Sequence, residues 1–512
     1  MRKFSGRAGA VSLVLLLSAC GGGGSSGGSV SLPTSPSSPS TPATGRGSLI
    51  GSATLVPAVQ ADGTSASTLS PAALTQLLEN VETGFTKVIG APVCSITSYT
   101  VKYRTVGGQG EATDASAAVM APSGSDPSCS GPRPVVLYAH GTTADKTYDM
   151  AKIGQNSEAR LIAAVFASQG FIVVAPNYTG YNSSSLAYHP YLSAEAQGSD
   201  MIDAMRAARA SFSGIGVTAS ARLFITGYSQ GGYVALATQK TMQAEFPAEF
   251  SVTGTSGMSG PYALLQTADK VFNGNPTQGV TLFLPLLINS AQHSSTPVYT
   301  NAGEVYAAPY ATGIETLLPG TLSTSDLVAQ NKLPATALFA PDSQPQGAGA
   351  AAFFASGNLI QSSYRSAYLA DVAAQPCDAN VASPLACTPT NGLRKFVLNN
   401  DLRNYLPGGP LLLCGGQNDP TVPFYNTSAA SGYFTARGKT GMTVVDLESQ
   451  QGASDPYALE RLGFAAAKAA LRVNAIANRQ DPDAAVASSY HAGLVAPFCL
   501  LSTRAFFQGI PL

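Results

Sequence analysis

Residues 221–236, ARLFITGYSQGGYVAL, constrain the fold more than any other stretch of this chain. Residues 222–226 form a short apolar run with β-branched Ile225 and Thr226, which reads as a buried strand. Gly227-Tyr228-Ser229-Gln230-Gly231 follows directly, and Tyr233, Val234, Leu236 and Ala237 then recur at helical spacing. Strand, G-x-S-x-G, helix is the order that lifts a serine hydroxyl clear of a sheet, on a turn so tight that only glycine fits two residues to either side. The backbone N–H of Gln230 then points to where the oxyanion of a tetrahedral intermediate would form. A bare G-x-S-x-G in a glycine-rich loop would say little. The strand before it and the helix after it give the motif its chemistry.

The neighbouring sequence repeats the alternation. Residues 134–139, PVVLYA, are a continuous apolar strand ending in His140-Gly141-Thr142-Thr143. Leu161, Ile162, Val165 and Phe166 mark a helix, 171–175 another buried strand, 193–211 a helix and 250–256 a strand. Strands apolar on both faces and separated by helices predict a mostly parallel sheet covered on both sides. Upstream, 96–106 and 112–121 read as a hairpin joined at Gly107-Gly108-Gln109-Gly110. The rhythm breaks after Pro261. It resumes with strands at 411–414 and 442–447, then an amphipathic helix over 457–476. Leu459, Leu462, Ala466, Ala469, Val473 and Ile476 share one face of that helix, the stripe such a helix ordinarily turns to a core.

A length of 512 residues allows one large or two to three smaller domains, and 45% hydrophobic residues suffice for a core. With a net charge of −1 and 11% charged residues, the chain offers no footing for a nucleic-acid partner. Arg2 and Lys3 precede an apolar stretch at 11–17, too short to span a bilayer, as is the later apolar run 280–288. Leu17-Ser18-Ala19-Cys20 resembles the bacterial lipobox, which implies cleavage before Cys20 and diacylation of its sulfur. An ordinary signal peptide with a chance cysteine is the plainer alternative. Residues 21–48 are almost wholly Gly, Ser, Pro and Thr, a flexible tether. Gly21 after the cysteine fits an exported protein anchored in the outer membrane of a Gram-negative cell, or else secreted.

Setting Cys20 aside leaves six of the seven cysteines, an even number suited to disulfides outside the cytosol. Fifteen pairings are open. The hairpin would bring Cys94 and Cys129 to one end, Cys377 and Cys387 bracket a short loop, and Cys414 and Cys499 remain. None has metal-ligand spacing with a histidine, so neither a metal nor another cofactor is expected.

A serine nucleophile needs a base and an orienting carboxylate. Of the four histidines, His140 opens the expected oxyanion loop, His189 reads as a packing or rim residue, and His293 has no chemical context. His491, in Tyr490-His491-Ala492-Gly493, follows a plausible acid. That acid is Asp419, in Asp419-Pro420-Thr421-Val422-Pro423, at the C-terminal end of the 411–414 strand, where parallel sheets place functional groups. Asp446, Glu448 and Asp455 are its rivals, and a turn-forming role before Pro420 is the plainer reading of Asp419. The second oxyanion donor is assigned to the Thr142 N–H, with Thr143 in reserve.

Pro176-Asn177-Tyr178-Thr179-Gly180, His189-Pro190-Tyr191-Leu192, Asp203-Ala204-Met205-Arg206-Ala207-Ala208-Arg209 and Gly227-Tyr228-Ser229-Gln230-Gly231-Gly232, with the Asp-Pro-Thr-Val-Pro and His-Ala-Gly motifs, resemble the bacterial and fungal secretory lipases over roughly 90–500. The resemblance implies an α/β-hydrolase fold with an inserted cap, and ester hydrolysis. The chain departs from the family where Asn177 replaces the usual aspartate, in its long irregular insertion, and in the helix before His491. The domains expected are a signal peptide (1–20), a tether (21–48), the core in two parts (49–262 and 406–512) and a cap or lid (263–405). Within the cap, 282–288 with Phe339, Phe353 and Phe354 would wall an acyl pocket. The expected function is a serine carboxylic-ester hydrolase acting on a small-molecule, lipid or polyester-oligomer ester. The alternatives are a secreted exopeptidase on the same fold and a non-catalytic binding protein on a hydrolase scaffold.

Overall fold

The apolar runs of the sequence become one nine-stranded sheet in the computed structural model, which describes residues 45–81, 85–377, 380–450, 452 and 454–511. Cys20, the signal segment and the tether up to residue 44 lie outside the described residues. In chain order the strands are β1 (Thr54–Val56), β2 (Ser95–Val106), β3 (Ala112–Ser123), β4 (Arg133–Ala139), β5 (Ile172–Pro176), β6 (Ala219–Tyr228), β7 (Val252–Met258), β8 (Leu411–Gly415) and β9 (Met442–Asp446). Their spatial order is β1-β2-β3-β5-β4-β6-β7-β8-β9. The first three and their junction with β5 are antiparallel, and β5 to β9 run parallel. Val106 opposes Ala112 across the expected hairpin.

The central strands are apolar without alternation because each feeds two cores. Val135, Leu137 and Ala139 of β4 enter one, and Val136 and Tyr138 the other. Helices α1 (Ser157–Val165), α2 (Ala194–Ser211) and α3 (Gln230–Glu245) connect the strands and cover both faces. A parallel sheet so covered, with the serine turn leaving a central strand, is the α/β-hydrolase fold.

Among the described residues between β7 and β8, none adds a strand to the sheet. The chain there forms α4 (Leu264–Phe272), α5 (Val280–Gln292) and further short helices, among them Ser362–Ala374 and Gly392–Asn399. Leu284, Leu327, Phe339 and Leu393 of this segment join the same core as Val135 and Ile225, so it packs onto one face of the sheet.

After β9 come α6 (Ala458–Ala477), α7 (Pro482–Ser489), a π-helical turn (Tyr490–Val495) and α8 (Ala496–Gly509). By length and composition 482–509 could cross a membrane, but most of it is buried in the fold. His491 therefore sits in a wide helical turn. The expected burial of α6 is also reversed. Its buried residues are Phe464, Leu471 and Ala475, whereas Leu459, Leu462, Val473 and Ile476 face outward. Periodicity identifies an apolar stripe; it does not say what covers it.

Disulfides join Cys94 to Cys129, Cys377 to Cys387 and Cys414 to Cys499, as befits an oxidising compartment. The third ties the end of β8, just before Asp419, to α8, just after His491.

Candidate active site

Ser229 stands between β6 and α3 at φ 58°, ψ −122°, a strained conformation for a residue with a side chain. A Cβ on Gly231 would lie 1.9 Å from the Ala139 carbonyl oxygen, and one on Gly227 would lie 2.3 Å from the Gly231 carbonyl oxygen. The Ser229 N–H donates to the Met258 carbonyl at 2.9 Å, which pins the turn to β7. These approaches explain why glycine brackets the serine.

His491 spans the gap between Ser229 and Asp419. Its Nε2 is 2.9 Å from Ser229 Oγ, and its Nδ1 is 2.6 Å from Asp419 Oδ2. Asp419 Oδ1 accepts the Thr421 and Val422 N–H groups at 2.9 and 3.1 Å, so its Oδ2 is left to the imidazole. An Nδ1–H directed at this carboxylate leaves the Nε2 lone pair facing the serine hydroxyl, the tautomer that proton abstraction requires. The Tyr228 hydroxyl donates to the His491 carbonyl and fixes the π-turn from below.

The rival acids do other work. Asp446 Oδ1 accepts the Gln417 and Glu448 N–H groups. Glu448 pairs with Lys468 and accepts from Asn418 and the Tyr490 hydroxyl, which clamps the acid loop to the histidine turn. Asp455 pairs with Arg461 at 2.7 Å.

Thr142 and Gln230 border the same cavity as Ser229. The Thr142 loop is braced by the Gly141 N–H on Glu158 (2.9 Å), the Tyr178 hydroxyl on the His140 carbonyl (2.9 Å) and the Tyr181 hydroxyl on the Thr143 carbonyl (2.8 Å). His140 is buried and stacks on Tyr178 with ring centroids 4.1 Å apart, a supporting role for that loop. His293 stacks on Tyr188, its Nδ1 2.9 Å from the Asn289 carbonyl. Asn177 accepts the Met150 N–H at 2.8 Å, and its amide donates to Ser116 and Asp149, a pattern a carboxylate there could not reproduce.

His189, expected as a packing or rim residue, is buried against Tyr178 and Tyr181, and it also makes a contact with Gln230 that the sequence does not mark. Its Nδ1–H donates to the Thr179 carbonyl at 2.9 Å, and its Nε2 accepts the Gln230 side-chain amide at 2.7 Å. Burial lowers its pKa to about 3, so the ring stays neutral and can accept. No sequence signal marks this pair, because the two residues are 41 positions apart. Behind His189, the Thr179 N–H donates to Asp200, which also accepts from the Tyr103 hydroxyl at 2.8 Å. Asp203 beside it is held by Arg46, Arg206 and Thr105.

Burial raises the Asp200 pKa to about 7. Between about pH 4 and 7 the folded chain therefore keeps a proton at Asp200 that the unfolded chain loses, and this group's contribution to stability falls as pH rises through that window. Asp200→Asn abolishes the titration. The melting temperature of the variant relative to wild type should thus rise between pH 4.5 and 7.5, by an amount equivalent to at most about 1.4 kcal/mol per pH unit. Parallel melting curves across that range would contradict this assignment.

A cavity extends from Ser229 along α4 and α5. Its wall is mostly apolar and includes Leu264, Ala268, Val271, Phe272, Val280, Phe283, Leu284 and Leu287, and among the described residues none that lines it is acidic or basic. The 280–288 stretch thus supplies part of the wall. Phe339 and Phe354 do not line the cavity; they pack on the buried Arg365 guanidinium, 4.2 and 5.0 Å from their ring centroids. Phe353 is likewise not among the lining residues. Among the described residues no group of three His, Cys, Asp or Glu side chains is arranged to hold a metal.

The profile of the prolyl oligopeptidase family matches residues 157–279, from α1 to the residue before α5. No curated protein matches the chain. Among solved structures, a ligand-bound form of the rice cell wall degrading esterase LipA from Xanthomonas oryzae is 25% identical. That match covers 90% of this chain and 97% of the esterase, at a TM-score of 0.66. Another structure of the same esterase is 27% identical over 85% of this chain and 100% of its own, at a TM-score of 0.63. A protein of Legionella pneumophila assigned as a hydrolase shares the fold at 18% identity, covering 90% and 98% of the two chains at a TM-score of 0.63. The fold and these matches support a serine hydrolase.

Proposed function

We propose that the chain is a serine carboxylic-ester hydrolase that acts outside the cytoplasm on esters with an apolar portion. The observation that carries this reading is the bridge of His491 between Ser229 Oγ and Asp419, at the mouth of an apolar cavity. Ser229 Oγ attacks the ester carbonyl carbon while His491 Nε2 takes its proton, and the Gln230 and Thr142 N–H groups hold the oxyanion. The imidazolium then protonates the departing alcohol. Water repeats the sequence on the acyl-enzyme and releases the acid. Asp419 fixes the imidazole tautomer and stabilises its charge. In this reading 49–262 and 406–512 form the catalytic core, 263–405 is a cap that walls the acyl site, and a lipid on Cys20 anchors the tether.

The likeness to a cell wall degrading esterase supports ester chemistry, whereas the prolyl oligopeptidase match favours a peptidase. The lining of the cavity favours the ester reading. A peptidase that recognises a free α-amino group needs a carboxylate near the nucleophile, and among the described residues no acidic side chain lines this cavity. Hydrolysis of p-nitrophenyl butyrate should exceed that of aminoacyl p-nitroanilides by a wide margin, and Ser229→Ala should abolish it. Preference for a substrate with a free α-amino group would move the assignment to the peptidase.

A further inference from the structure

The outward stripe of α6 has no part in the site. Leu459, Leu462, Val473 and Ile476 are 81%, 67%, 58% and 65% exposed, and Ala466 and Ala469 between them also face solvent. The opposite face is fully engaged: Phe464 meets Tyr490 and Phe498, and a Cβ on Gly463 would lie 2.5 Å from the Phe498 ring. The stripe is thus not a core face awaiting a small adjustment. It is a second apolar surface.

We propose that this stripe is a self-association surface on which a second copy of the chain lays its own α6 antiparallel across a two-fold axis. The six positions recur at intervals of three and four residues, the seam of helices packed knobs into holes. Their sizes also mirror about the midpoint of the helix: large, large, small, then small, large, large. Antiparallel pairing sets Leu459 against Ile476, Leu462 against Val473 and Ala466 against Ala469 of the second copy. An isologous contact requires this self-complementarity, and a parallel pair would not use it. The alanines let the axes approach at the centre.

The charges agree with such a contact. Gly463, Ala465, Ala470 and Ala477 flank the seam without charge, and Arg472 is paired with Asp483 at 2.6 Å. Antiparallel helices also set opposite dipole ends together. A lipid surface fits less well. A helix lying on a membrane wants bulky apolar residues along its middle and free basic residues at the rim. Here the middle is alanine, and Arg461 and Lys468 are paired with Asp455 and Glu448.

Burying four such side chains removes a few hundred Å² per copy, at roughly 60–120 Å² each. That is less than the ~800 Å² per partner of a standard stable interface, so the dimer should be weak and concentration-dependent. Sedimentation velocity of the protein from about 1 to about 200 μM, the regime of such weak contacts, should show the dimer rising from under a tenth to more than half. The double variant Leu462→Glu/Val473→Glu should stay monomeric, with the melting temperature and esterase activity of wild type. Orientation is read by oxidation in a Cys20→Ser background, where the three disulfides leave no other thiol. Ala466→Cys with Ala469→Cys should cross-link more efficiently than either alone. A wild type that is monomeric throughout, or more efficient cross-linking by a single cysteine, would overturn the proposal. So would an α6-dependent association with anionic vesicles in place of a dimer.

Discussion

Ser229→Ala and His491→Ala should each lower kcat on ester substrates by roughly four to six orders of magnitude, the range found when members of a serine triad are removed singly. The cause is visible in the 2.9 Å approach of His491 Nε2 to Ser229 Oγ: without either partner no alkoxide equivalent forms. Asp419→Ala should cost about four orders, somewhat less, because serine and imidazole can still meet while the tautomer is no longer fixed. Wild type should be labelled at Ser229 by a fluorophosphonate, and Ser229→Ala should not. Glu448→Gln supplies the contrast. It weakens the clamp between the acid loop and Tyr490 but leaves the Asp419–His491 contact in place, so its loss should be far smaller. A larger loss for Glu448→Gln or Asp446→Asn than for Asp419→Ala would reassign the acid.

Specificity constants should climb from acetate to hexanoate esters by roughly 200-fold in total. Each methylene moved from water into the cavity contributes about 0.8 kcal/mol, close to fourfold in kcat/KM when realised in the transition state. The rise should end where the wall formed by Leu284 and Leu287 is reached. Ala268→Phe places a ring inside the cavity and should remove the gain for longer chains while sparing acetate. Leu284→Ala should extend the optimum to longer chains. Unchanged fluorophosphonate labelling of Ser229 in both variants separates loss of pocket volume from loss of fold. A flat profile in wild type would mean that the cavity does not take the acyl chain.

Much of the fold could be read directly because the central strands are apolar on both faces and the helices between them are periodic. The catalytic candidates could be read for a different reason. With four histidines in the chain and the order serine, acid, histidine, few combinations remained. His189 shows the limit of that approach. Its ring nitrogens are spoken for by Thr179 and Gln230, partners that only the folded backbone brings near, and in sequence it resembles any histidine before a proline. The phenylalanines of the insertion failed in the opposite way. Phe339 and Phe354 are apolar and available, yet a buried guanidinium claims them.

Sequence alone determined the strand–turn–helix at Ser229, since its glycines report where backbone must approach backbone and no side chain can substitute. It likewise determined which strands are buried on both faces, because solvent-facing positions would have to be polar. Tertiary structure alone decided which of four carboxylates meets His491, that this histidine rides a π-turn, and which face of α6 turns inward. Those choices depend on side chains distant in sequence competing for the same space. Local pattern fixes what a segment can offer; packing fixes what it meets.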